Sequence, residues 1–353
     1  MSKRDMAATR RLGNSGIDIP MLGLGCAAIG NLHGAVPARS AAGVLEAAWI
    51  AGVRYYDTAA LYGRGLGELR VGAALRERER SSYVLSSKVG WRIAPLQRDV
   101  GSSAHLPFAL QCDYSHGGTM RAVEDSLLRL GVDRIDALFV HDVDPYNHGD
   151  DYPAQRRGVL AGALPALHEL RRAGLVRAVG VAVNSCAVCL DFLRDAEPDA
   201  FLLAGRYTLL DQEAAAAVLP ECARRGVGVI IGAPFNSGVL ASGAHPTARY
   251  NYRPLDPDTA RRVARLRAVC DGHGVSLLAA ALQFPLTHPA VASVLPGVRT
   301  VDQLESVVKG FTETIPASLW IDLAEADLIA AAPLPAAPSS PAIPTPEGRS
   351  HAH

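Results

Sequence analysis

The stretch VRYYDTAALYGRGLGE, Val53 to Glu68, decides how this chain is expected to fold. Val53 and Tyr55 alternate with Tyr56 across a short buried strand that ends at Asp57. A loop then carries Tyr62 outward, and a glycine-punctuated turn leads into a helix from about Leu66. A carboxylate at the C-terminal end of a strand, with a phenol in the following loop, is where an α/β barrel displays its chemistry. A phenol has an ordinary pKa of about 10 and is a poor acid or base near neutrality. The stretch therefore calls for a lysine and a proton partner on the same rim.

The rest of the chain repeats this strand–loop–helix pattern. Arg10 to Pro20, RRLGNSGIDIP, reads as a hairpin turning at residues 13–16, and 21–25 as the first apolar strand. A helix over 40–52, capped by Ser40 and ended by Gly52, precedes strand 53–57, and a helix over 66–78 follows it. Tyr83 to Val89, YVLSSKV, is a buried strand that delivers Lys88. A long irregular piece over 90–114, with Trp91 and His105, leads to a helix over 116–130 with one apolar face of Met120, Val123, Leu127 and Leu130. Strand 135–140 delivers His141, a helix covers 158–173, and strand 175–183 delivers Asn184. Strands at 201–204, 227–231 and 291–295 alternate with helices at 186–194, 211–225, 257–272, 276–287 and 300–310, and a glycine- and proline-rich loop fills 232–256. Eight βα units predict a closed (β/α)8 TIM barrel, a single α/β domain over 10–330 that includes an extra helix at 316–330. Residues 331–353 form a Pro/Ala/Ser tail with too little apolar content to bury, expected to be disordered; His351 and His353 there make no site.

Composition narrows the function. The 353 residues carry 35 basic and 35 acidic side chains, so no long-range field draws the chain to nucleic acid or anionic lipid. No apolar run is long enough for a bilayer, and the N-terminus MSKRDMAATRR lacks a secretory apolar core. A soluble, cytoplasmic protein with a small-molecule partner is expected; nothing in the sequence speaks to its oligomeric state. Among six cysteines, Cys186 and Cys189 form a CxxC without a thioredoxin-like or zinc-site context, and read as a buried pair on a helix.

Asp57 and Tyr62, Lys88, and His141 all fall at or just after the ends of three successive strands, which share one rim in a barrel. Lys88 can lower the pKa of the Tyr62 phenol, Asp57 can orient that lysine, and His141 can fix a substrate oxygen. Such a set suits proton transfer at an oxygen whose carbon gains or loses hydride.

The motifs DTAALYG (57–63), SSKVG (86–90), VH (140–141) and VGVAVN (179–184) resemble those of the aldo-keto reductase superfamily, and the resemblance runs from Arg10 to Gly310. It implies a hydride-transfer enzyme with a nicotinamide cofactor stretched across the barrel rim. Tyr62 would be the general acid/base, completed by Asp57, Lys88 and His141. Asn184 would hold the nicotinamide carboxamide, although its usual serine neighbour is Val183 here and a usual glutamine is Ala204; Tyr207 would stack on the nicotinamide ring. The loop APFNSGVL (233–240) would face the pyrophosphate through Ser237 and Gly238. In LPGVRTVDQLESV (295–307), the positions where NADP-preferring members carry cations are Gly297 and Gln303, leaving Arg299 as the local cation. That implies NAD, with NADP as the alternative, since a 2′-phosphate calls for several charged donors. HDVD (141–144) and AGRYTLLDQ (204–212) resemble the aldose dehydrogenase branch, which includes L-fucose and D-threo-aldose 1-dehydrogenases, L-galactose dehydrogenase and pyridoxal 4-dehydrogenase. The implied reaction is oxidation of an anomeric carbon to a lactone, with Trp91, His33 and Tyr146 lining the substrate pocket.

Each residue alone has a plain structural reading: a turn aspartate, a packed tyrosine, a solvated lysine, a satisfied core histidine. Their joint placement at strand ends favours chemistry. Gly63, Gly65 and Gly67 space as GxGxG, and suit a turn better than a dinucleotide fingerprint. A metal hydrolase built on His141, Asp142, Asp144 and His148 would draw all its ligands from one loop, so no metal is expected. An NADPH-dependent aldehyde or ketone reductase, and a non-catalytic nicotinamide sensor, remain alternatives.

Overall fold

The computed structural model describes residues 4–32, 34–96, 104–243, 245, 247–250 and 253–330. His33 and the tail from residue 331 onward lie outside the described residues. Eight parallel strands form the barrel: β1 (Leu24–Gly25), β2 (Tyr55–Asp57), β3 (Val84–Val89), β4 (Ile135–His141), β5 (Val176–Val183), β6 (Ala200–Ala204), β7 (Gly228–Gly232) and β8 (Val291–Leu295). They pair in that order. Bridges from Leu22 to Val294 and from Gly25 to Gly297 join the two edges and close the sheet. Closure removes the exposed edges that an open sheet would have to protect.

Strand alternation sorts the side chains. Tyr55, Ala137, Phe139, Ala178, Ala182, Leu202 and Ile230 form a cluster separate from the larger outer one, as inward positions do. Small residues in β5 make room for large neighbours: a Cβ on Gly180 would sit 2.9 Å from Phe139 Cδ1 and 2.0 Å from the Ala200 carbonyl oxygen. Asp57, Lys88 and His141 share the parity of Tyr55, Ser86 and Phe139, so these three side chains form the top layer of the barrel interior. The other end is closed by the antiparallel hairpin Thr9–Arg11/Asp18–Pro20, whose Leu12, Ile17 and Ile19 are buried in the same inner cluster.

Several boundaries differ from expectation for identifiable reasons. Within the stretch 90–114, expected to be irregular, Trp91–Pro95 pairs with Phe108–Cys112 in an antiparallel ladder. Ser40 caps nothing, because the first helix starts at Ala38 after Pro37, whose fixed φ suits a helix entrance. The helix expected at 158–173 begins at Tyr152 and continues to Arg172 through a π turn at Val159–Ala163. Pro165 lacks an N–H just beyond that turn, the kind of position where the α ladder gives way. The helix expected at 211–225 is interrupted at Ala217, whose φ of −142° is not helical. Loop 232–256 contains a short helix, Val239–Ser242, and a two-residue ladder of Arg249–Tyr250 with Arg253–Pro254. Among the described residues no helix is long and apolar enough to cross a membrane.

Candidate active site

The site starts from one buried ion pair. Lys88 Nζ lies 2.6 Å from Asp57 Oδ1, with both side chains almost fully enclosed, and also donates to the Thr58 carbonyl oxygen at 2.8 Å. The pairing of Asp57 with Ser86 across β2 and β3 places Ser86 Oγ 2.7 Å from Asp57 Oδ2. An ionised carboxylate only accepts, so Ser86 donates to it, and Tyr55, 3.0 Å from Ser86 Oγ, donates in turn to the serine. A hydrogen-bonded file of Tyr55, Ser86, Asp57 and Lys88 thus runs upward through the barrel. Burial opposes the lysine's charge, but the Asp57 carboxylate and the Tyr62 hydroxyl outweigh it and hold the ammonium above its ordinary pKa. Ser87, on the opposite face of β3, donates to buried Glu68, which is paired with Arg129 at 2.6 Å.

Tyr62 is 8% exposed, with Lys88 Nζ 4.7 Å from its ring centroid and the His141 ring edge-on at 5.7 Å. The lysine does not bring the phenol toward neutrality. Burial raises the Tyr62 pKa above its ordinary value; Lys88 pulls it down, while Asp57 and Asp142 add to the rise. The phenol is therefore held as a proton donor. His141 goes the other way: burial and the Lys88 charge hold its pKa well below the usual histidine value, so the imidazole is neutral.

Three residues beyond the expected four shape this centre. Tyr114 donates to the His141 carbonyl oxygen at 2.8 Å and lies 3.1 Å from His148 Nε2. Its single hydroxyl proton is spent on the carbonyl, so His148 must donate from Nε2. The His148 ring stacks on Trp91 at 6.0 Å and 9°. Trp91 Nε1 is buried without a hydrogen-bond partner, beside the site it was expected to line. Gly90 is required here: its φ is +104°, and a Cβ would lie 2.2 Å from Tyr114 Cε1. Asp142, also left-handed at φ +55°, follows His141 directly.

The residues expected to hold the dinucleotide distribute unevenly. Asn184 stands exposed at the end of β5, its carbonyl oxygen accepting from Arg206 Nε at 2.7 Å. Tyr207 is not a rim residue: it is 3% exposed and packs against Phe284 at 4.9 Å and His288 at 6.1 Å. An aromatic ring gains from contact with such an apolar layer. After β7, Ala233, Asn236, Ser237 and Gly238 all take positive φ, a backbone suited to turning N–H groups toward an anion. A Cβ on Gly238 would meet nothing within 4 Å, and Asn236 Oδ1 is buried without a partner. An orphaned buried acceptor beside such a loop fits a dinucleotide with amide and hydroxyl donors. After β8, Arg299 donates to the Ala35 carbonyl oxygen at 3.1 Å, and its backbone N–H to Gln303 Oε1 at 2.8 Å. Gly297 lies beside Gly25, with room for a side chain. Tyr146 is 91% exposed and is not brought to the centre, and His33 lies outside the described residues.

Sequence reasoning passed over Ser86, Tyr114 and Asn236. Ser86 was accessible, since it stands two positions before Lys88 and so shares its inward face. Asn236 lay within the loop 233–240 already singled out, next to Ser237, whereas Tyr114 acts through tertiary approach and carries no local signal. Cys186 and Cys189 are buried on the helix Cys186–Asp195, and burial pushes the Cys186 thiol up to about 12. Among the described residues no three His, Cys, Asp or Glu side chains gather as a metal site.

Comparisons with known proteins agree with this geometry. The model of the Aldo/keto reductase family matches residues 21–327. The chain is 41% identical over 324 residues to D-threo-aldose 1-dehydrogenase of a Pseudomonas species, covering 89% of this chain and 96% of that protein. It is 39% identical over 334 residues to pyridoxal 4-dehydrogenase of Microbacterium luteolum, covering 91% and 97%. Among solved structures, an aldo-keto reductase from Bacillus halodurans in its holo form superposes with a TM-score of 0.71 at 26% identity, covering 92% of this chain and 97% of that one.

Proposed function

The chain belongs to the aldo/keto reductase family and is an NAD(P)-dependent oxidoreductase, and from that premise we propose that it oxidises the anomeric carbon of an aldose to an aldonolactone, with NAD as the preferred cofactor. The observation that carries the chemistry is the convergence of Tyr62, His141 and the Lys88–Asp57 pair in one buried layer. The similarity to D-threo-aldose 1-dehydrogenase across nearly the whole chain supports the substrate class.

Tyr62 exchanges a proton with the reacting oxygen, and the neutral His141 imidazole positions that oxygen by a hydrogen bond. In oxidation the base is the tyrosinate form of Tyr62, which Lys88, kept charged by Asp57, stabilises until it takes the sugar hydroxyl proton and becomes the neutral phenol. The bound dinucleotide supplies a hydride acceptor at its nicotinamide ring. Asn184, Asn236 and the 233–238 loop would hold the cofactor's nicotinamide and pyrophosphate portions, and Gly297, Arg299 and Gln303 would receive its adenosine end. NAD is favoured over NADP because neither Gly297 nor Gln303 brings a cation, and Arg299 already bonds Ala35.

A second reading has its own support: pyridoxal 4-dehydrogenase is similar at 39% identity over 91% of the chain. The deciding experiment incubates purified protein with NAD or NADP and a panel of aldoses plus pyridoxal, following reduced nucleotide and identifying the product by NMR. NAD-dependent lactone formation from an aldose is the expected result. Turnover of pyridoxal alone would replace the substrate class and leave the proton chemistry standing.

A further inference from the structure

His141 is followed by an aspartate whose geometry the proton relay does not use. The Asp142 backbone N–H continues the β4–β5 ladder to the Ala182 carbonyl oxygen at 2.9 Å, then turns left-handed at φ +55°. Val143 is buried immediately beyond and anchors the segment. Asp144, 2% exposed, spends Oδ1 on the Asn147 backbone and side-chain amides at 2.9 and 3.0 Å. Asp142 has no such employment. Its Oδ2 lies 3.7 Å from Nε2 of the neutral His141 ring, beyond hydrogen-bond length, and its side chain is 21% exposed. It therefore stands beside the reacting centre with its acceptor capacity unspent.

We propose that Asp142 is a substrate-recognition residue: its carboxylate accepts hydrogen bonds from hydroxyl groups of a polyhydroxylated substrate whose reacting carbon lies between Tyr62 and His141. This rests on the reading of the substrate as an aldose. A carboxylate offers about four lone-pair directions and no donor, which suits adjacent sugar hydroxyls that each bring a proton. Asp142 Oδ2 lies 3.7 Å from Nε2 of the His141 ring, which meets the Tyr62 ring edge-on at 5.7 Å, so the carboxylate borders the volume around those two rings.

The groups around Asp142 make recognition pH-dependent. His141 and Asp144 flank it on its own segment, and Lys88 from β3, Tyr62 from the loop after β2 and Tyr114 from the stretch before the helix His116–Leu130 each interact with its charge. Burial and the Asp144 carboxylate push the Asp142 pKa up to about 7, with Lys88 opposing. Substrate affinity should then strengthen as pH rises through neutrality and the carboxylate ionises.

The bland account is that an aspartate simply tolerates left-handed backbone, and asparagine tolerates it equally well. Asp142→Asn therefore separates the two. KM and kcat for the best aldose are measured across neutral pH for the wild type, Asp142→Asn and Asp142→Ala, alongside reduction of an aliphatic aldehyde without hydroxyls. The proposal predicts a KM raised roughly 10-fold in Asp142→Asn, which keeps one neutral acceptor but loses the charge, and up to about 100-fold in Asp142→Ala, which loses the hydrogen bond altogether. It also predicts a KM that no longer falls with pH, a kcat little changed, and an unaltered KM for the simple aldehyde. An Asp142→Asn variant with wild-type sugar KM overturns the assignment and leaves the aldose reading intact. A wild type inactive on every aldose overturns both.

Discussion

Asp57 Oδ1 and Lys88 Nζ meet at 2.6 Å in the top layer of the barrel, where their side chains are 5% and 1% exposed. In that setting neither charge can be removed singly without stranding the other. Asp57→Asn should destabilise the protein by about 3–5 kcal/mol, because the ammonium remains buried and uncompensated. Replacing both together, as Asp57→Leu with Lys88→Met, should recover most of that stability and none of the activity. Urea unfolding of the single and double variants checks both statements. An additive double variant would mean that the pair is not coupled.

Gly90 and Tyr114 should prove interdependent. Gly90→Ala forces a side chain into φ +104° and into contact with the Tyr114 ring, a cost of about 3 kcal/mol or more. Tyr114→Phe leaves the His141 carbonyl oxygen without its donor, costing about 1–3 kcal/mol. Thermal and chemical denaturation of the two variants tests this, with kcat reporting how far His141 has moved.

His141 makes a signed prediction about pH. Its folded pKa lies well below the ordinary value of about 6.5, so the unfolded chain takes up a proton that the folded chain refuses. The stability it contributes is complete above that value and is lost as pH falls through it toward the depressed folded pKa. The slope for one such group approaches about 1.4 kcal/mol per pH unit. His168 and His288 are depressed in the same direction, so the comparison is between wild type and His141→Gln. The variant should lose acid sensitivity relative to the wild type in urea midpoints measured on either side of neutral pH.

Cofactor preference should be movable at Gly297 and Gln303. A Cβ at Gly297 meets only the Gly25 carbonyl oxygen at 3.6 Å and Ala28 Cβ at 3.9 Å, so a longer side chain can enter without strain. Gly297→Lys with Gln303→Arg supplies two cations beside Arg299. The Kd for NADP should tighten at least about tenfold relative to NAD, the scale of one charge-assisted hydrogen bond. Isothermal titration calorimetry measures this without turnover.

The barrel was legible because its signals are local and repeated. Strand 291–295 and helices 116–130 and 257–272 carry apolar periodicity with clear stops, and their observed bounds match those expected. The shared layer of Asp57, Lys88 and His141 was legible because strand parity alone sends these three side chains inward at the same level. The Trp91–Cys112 hairpin was missed because its strands are only partly buried and lack clean alternation. The direction of the Tyr62 pKa was not legible either. A sequence reveals the lysine that lowers it, while the enclosure that raises it exists only once the barrel has closed.

The central claim is that the Tyr62 hydroxyl carries the proton, and Tyr62→Phe tests it most directly. A methionine or alanine there would also open a cavity, whereas phenylalanine removes one oxygen. The account predicts that kcat for aldose oxidation falls about 10²- to 10⁴-fold, the range for a lost general acid–base group. The NAD Kd and the thermal midpoint should stay close to wild type. Because burial holds the phenol's pKa above its ordinary value, wild-type oxidation should also accelerate as pH rises into the alkaline range, and the residual rate of the variant should not. A Tyr62→Phe enzyme with wild-type kcat and an unchanged pH profile would contradict the account.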